Sequence, residues 1–91
     1  MECAVSRKAA GDVDPAAICA IFVGTLGSTP AASDVQAIEI SMLTAFAASV
    51  DLRGRQGTSL AKLNFDSPDR PIGTEQWRRF AANVADYLSA S

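Results

Sequence analysis

Apolar residues recur at helical spacing in three stretches of the chain, and each stretch has a start or stop signal beside it. The first spans about 15–26. Asp14 is placed to cap free backbone N–H groups, Pro15 suits the first helical position, and Val13 can staple onto Ile18. Ile18, Ile21, Phe22 and Leu26 follow on one side, and Gly27 is a natural stop. The second stretch covers about 34–50, where Ser33 and Gln36 stand at capping-box spacing and Asp34 favours the first turn. On a helical wheel Val35, Ile38, Met42, Leu43, Phe46 and Val50 form a broad apolar face, with Ala37, Ser41, Ala45 and Ala48 as a stripe of small residues beside it. The third, about 75–89, has the clearest amphipathic pattern. Thr74 stands at its cap, and Trp77, Phe80, Ala81, Val84, Tyr87 and Leu88 line one face against Arg78, Arg79, Asn83 and Asp86 on the other. Glu75 and Arg79 form a favourable i,i+4 pair there.

The predicted fold is therefore all-α, a small bundle of three main helices joined through an irregular loop at 53–73. The glycines at 54 and 57 and the prolines at 68 and 71 account for that loop. Two short segments, 18–23 and 60–65, are also β-prone, and strands there would make the chain α+β. Residues 1–91 form a single domain, with 1–13 as an extended arm that has room for a helical turn in Ala4–Ala10.

Charge changes the picture. The thirty-six residues from Pro15 to Val50 hold two formal charges, Asp34 and Glu39, whereas the rest of the chain holds sixteen of the eighteen. Two consecutive helices so poorly charged cannot both be covered by one amphipathic helix. Each large side chain left in water forgoes ~1.5–3 kcal/mol of burial, against a whole-domain stability of ~5–15 kcal/mol. A neighbouring protein surface is the expected remedy, most simply another copy of the chain. The candidate interface comprises Ile18, Phe22, Val35, Ile38, Glu39, Met42 and Phe46. Glu39 is its pointed member, a carboxylate within the apolar face, for which Arg53, Arg78 or Arg79 of a neighbouring copy is the candidate partner.

Candidate chemistry is sparse. The chain has no histidine, which removes the commonest general base and metal ligand together. Cys3 and Cys19 cannot make a zinc site by themselves, and although one bond between them is feasible, free thiols in a reducing cytoplasm are expected. No catalytic, cofactor or metal residues are assigned. Asp12, Asp14 and Pro15 separate the basic pair Arg7-Lys8 from the apolar run Ala16–Leu26, which spoils a signal-peptide order, and that run is short of the ~20 residues a membrane span needs. The expected location is cytoplasmic or virion, without secretion or membrane insertion.

Arg53, Arg55 and Lys62 make a locally basic stretch that could contact an acidic partner or nucleic acid. The net charge of −2 and pI near 4.8 argue against general nucleic-acid binding. Gly57-Thr58-Ser59-Leu60 partly resembles the serine attachment site of carrier proteins, which implies a phosphopantetheine arm on Ser59, but Gly54-Arg55-Gln56-Gly57 departs from the paired glycines of that family. The function expected is a non-catalytic structural or assembly subunit, such as a virion connector, adaptor or decoration protein. The second expectation is a small helical binding or regulatory module acting through Arg53, Arg55 and Lys62.

Overall fold

The computed structural model describes residues 1–7 and 13–90, so part of the expected N-terminal arm, residues 8–12, lies outside the described residues. The architecture is α+β. Strand β1 (Glu2–Arg7) is followed by helix α1 (Pro15–Gly27), a 3-10 turn at Pro30–Ala32, strands β2 (Ala37–Thr44) and β3 (Ala47–Arg53), a second 3-10 turn at Arg55–Gly57, strand β4 (Ser59–Asp66) and helix α2 (Thr74–Ala90). The sheet runs β1-β2-β3-β4, with β1 parallel to β2 and the other neighbours antiparallel.

The predicted three-helix bundle is overturned at its centre. No helix spans 34–50: that segment is β2, a tight turn and most of β3. The physical reason is a period of two. Ile38, Ile40 and Met42 on β2, and Ala48, Val50 and Leu52 on β3, are buried at alternate positions, as strands require when one sheet face is covered. Residues 53–73 are only partly irregular, because Ser59–Asp66 is a strand with Ala61 buried and Leu63 and Phe65 half-buried. Of the two β-prone segments, 60–65 is strand and 18–23 is helix.

Both outer helices form as their local signals dictate. Asp14 Oδ1 accepts the Ala16 N–H at 2.9 Å, and Pro15 occupies the first turn of α1. At α2 the detail differs from expectation. Thr74 is the first helical residue, and the entrance is held by Gln76, whose Oε1 accepts the Gly73 N–H at 3.0 Å. Trp77, Phe80, Ala81 and Val84 of α2 are buried, Leu88 is half-buried, and Tyr87 is exposed.

The helices pack side by side on one face of the sheet. Their buried residues (Ile18, Phe22 and Leu26 from α1, and the α2 residues above) join the inward residues of the strands in one core. An aromatic chain runs through it: Phe22 meets Trp77 edge-on at 6.1 Å, Trp77 meets Phe80 edge-on at 5.6 Å, and Phe80 stacks on Phe65 of β4 at 4.6 Å. Cys3 on β1 and Cys19 on α1 are joined in a disulfide, so the expected free thiols are replaced by a covalent staple.

Candidate interaction surface

Every strand residue that alternates away from the helices lands on a second face, and no described element covers it. Strand register arranges that face in rows. One row reads Ala4, Glu39, Asp51, Lys62 across the four strands, and the next reads Ser6, Ser41, Ser49, Asn64. The first is charged and the second uncharged and small.

Glu39 and Asp51 lie directly opposite on neighbouring strands, a placement that is destabilising for like charges. Arg53 resolves it. Its Nε donates to Glu39 Oε2 at 3.1 Å, its Nη2 reaches Asp51 Oδ2 at 2.8 Å, and its Nη1 donates to the Gly57 carbonyl at 3.1 Å. Ser59 Oγ donates to the other Asp51 oxygen at 3.1 Å. The 3-10 turn that returns the chain from β3 to β4 presents the Gly57 carbonyl. It needs left-handed backbone at Gln56 (φ 60°) and at Gly57 (φ 74°), the second being the residue type that tolerates it best. Beside this clamp lies an open depression of about 690 Å3 bordered by Met1, Glu2, Gln36, Glu39, Arg53 and Gly57.

Chemically the clamp is self-contained. Each Arg53 nitrogen already has an acceptor, and the one hydroxyl bonded to these carboxylates among the described residues, Ser59 Oγ, is spent on Asp51 in an exposed hydrogen bond. Arg53→Ala would leave Glu39 and Asp51 facing each other, and because the group is part-exposed (Arg53 37%, Glu39 54%) the expected loss of stability is about 1 kcal/mol. Urea unfolding at low and high salt checks this, with a smaller loss at high salt. A variant as stable as wild type at low salt would remove the clamp from the fold's supports.

The residues singled out from sequence are dispersed. Ile18, Phe22, Val35, Ile38 and Met42 are buried within this chain's own core, so they are not presented to a partner. Glu39 and Phe46 are exposed, and Glu39 pairs with Arg53 of the same chain. Arg53, Arg55 and Lys62 do not make one basic patch: Arg53 is clamped between acids, Arg55 stands on the turn, and Lys62 sits on β4 opposite Asp51. The open face carries Glu2, Glu39, Asp51 and Asp66 against Arg53 and Lys62, an acidic balance unsuited to phosphate backbone. Ser59, the residue of the carrier-like tetrapeptide, opens a strand and is bonded to Asp51.

What the sequence reading passed over is a pair of sheet edges. Among the described residues, β1 and β4 each have a neighbour on one side only. Leu43 and Phe46, both exposed, cluster at the β2–β3 turn, and Leu60 is exposed on β4. The signal for the edges was the alternation itself. Among the described residues no helix is long and apolar enough to cross a membrane, and no group of three or more Cys, Asp or Glu residues is placed to hold a metal ion. No family model, no curated protein and no solved structure matches the chain.

Proposed function

We propose that this chain is a non-catalytic assembly subunit, which works by docking against protein through the sheet face and edges that its own helices leave uncovered. The observation that carries the reading is the one-sided sheet: two helices cover one face, and among the described residues nothing covers the other face or either edge. The Arg53 clamp, with every guanidinium nitrogen engaged, and the absence of histidine from the sequence support a binding role over a catalytic one. The charge-poor stretch 15–50 lends no support of its own, because its large apolar residues other than Leu43 and Phe46 are buried or half-buried within the chain. The acidic balance of the open face favours protein over nucleic acid as the partner.

The Cys3–Cys19 bond supports an oxidising setting, such as an extracytoplasmic space or a virion surface, over a reducing cytoplasm.

Light scattering on the purified chain at micromolar concentration tests the assembly reading. A mass of two or more chains is expected, rising with concentration if the association is weak. A single-chain mass at every concentration, together with no partner recovered from its native setting, would overturn it.

A further inference from the structure

We infer that the partner at one of these edges is a second copy of the same chain, paired antiparallel through β4 about a two-fold axis at Asn64. This rests on the assembly reading above and gives it a surface and a register.

The backbone supplies the first argument. Main-chain groups alternate in direction along a strand. The Ser67 N–H donates to the Phe46 carbonyl of the β3 side at 2.7 Å, and the β3–β4 register continues without a shift from Ala47–Asp66 to Leu52–Ala61. Phe65, Leu63 and Ala61 therefore also face β3, and the N–H and carbonyl groups of Lys62, Asn64 and Asp66 point out of the sheet. Among the described residues, nothing in the chain pairs with them.

Side chains supply the second argument and fix the register. Opposed residues in an antiparallel pair share a face, so only registers that match like faces are allowed. A two-fold axis at Lys62 sets lysine against lysine, and one at Leu63 leaves Lys62 against Asn64. With the axis at Asn64, Lys62 meets Asp66 of the other copy twice on the open face, and Leu63 meets Phe65 twice on the helix-covered face. Neither Lys62 nor Asp66 has an ion-pair partner among the described residues. An edge lysine ordinarily deters strand pairing, but here the same strand carries its complement four residues on. β1 offers no such match, because its exposed face presents Glu2 beside Ala4 and Ser6. The product is one continuous sheet with both helical layers on the same side and about six new main-chain hydrogen bonds.

Asn64→Cys places two thiols across the axis at roughly 5.5 Å between Cα atoms, within the roughly 4.4–6.8 Å that a disulfide spans. Mild oxidation is expected to give a covalent dimer, whereas Asn83→Cys on the exposed side of α2 gives no cross-link. Asp66→Lys alone is expected to weaken dimerisation roughly ten-fold by opposing like charges at two places, and Lys62→Asp combined with Asp66→Lys to restore it. Urea unfolding of each variant separates lost pairing from lost folding. If a folded dimer persists while Asn64→Cys fails to cross-link and Asp66→Lys has no effect, the β4 pairing is wrong and assembly runs through another surface. A monomer under all conditions overturns the β4 pairing, and the assembly reading falls with it only if no other protein partner is recovered either.

Discussion

Trp77→Ala is expected to cost about 3–5 kcal/mol, a large part of the whole stability of a domain this size. The side chain is fully buried and links the two helices: Phe22 of α1 meets it edge-on from one side and Phe80 of α2 from the other. Each such aromatic contact contributes ~0.5–1.5 kcal/mol beyond the burial itself. Truncation to alanine removes both contacts and leaves a cavity that rigid neighbours, Phe80 held against Phe65 among them, cannot collapse into. One feature tempers the native site. The indole Nε1 is buried with no hydrogen-bond partner among the described residues, and an orphaned donor costs about 1–3 kcal/mol. Trp77→Phe discards that donor while keeping most of the apolar body, so its loss is expected to be under about 1.5 kcal/mol. Urea unfolding followed by far-ultraviolet circular dichroism measures both, since Trp77 is the sole tryptophan and its fluorescence disappears with it. If the alanine variant lost less than about 1 kcal/mol, the helices would not be joined through this residue.

Cutting the disulfide is expected to cost about 3 kcal/mol. The bond closes a loop with a sequence separation of 16, and loop-closure entropy for that length is about 3 kcal/mol in the unfolded chain. Its position matters as much as its length. β1 is an edge strand paired with β2 alone, and the bond ties it to α1. Cys3→Ser with Cys19→Ser is therefore expected to unfold at lower urea and to let the β1 amides exchange first, ahead of β2 and β3. Wild-type protein should take up an alkylating agent only after reduction and denaturation. Equal stability of the double variant and wild type would show that the staple does not support the fold.

How far the fold was legible depends on where each element's instructions lie. The start of α1 is written locally in Asp14-Pro15, whereas at its other end Gly27 is still helical and Ser28 is the cap; the amphipathic pattern of α2 is complete within its own residues. The β2–β3 hairpin is different. Its turn, Thr44-Ala45-Phe46, contains no Gly, Asn, Asp or Pro, and is closed by the Phe46 N–H donating to Thr44 Oγ1 at 3.0 Å. Without a conventional turn signal, the alternation of Ile38, Ile40 and Met42 merged with the following alanines into a plausible helical wheel. β4 has competing readings for a different reason: turn signals flank it, but Leu63 and Phe65 alternate over a segment too short to decide. The charge shortage between Pro15 and Val50 marks an apolar stretch whose large residues, Leu43 and Phe46 apart, are buried or half-buried. For those residues the cover within the chain comes from strand neighbours and the two helices.

By itself, the sequence determined two helices, the start of the first, and a sparsely charged apolar stretch at 15–50. Tertiary structure alone decided that the middle of the chain is sheet, that Cys3 meets Cys19, and that Arg53 closes on Glu39 and Asp51 across strands. Helix caps and amphipathic periods act between residues a few positions apart, so the chain carries them in plain order. Strand pairing acts between residues distant in sequence, and its hydrogen bonds exist only once β1 and β3 lie on either side of β2.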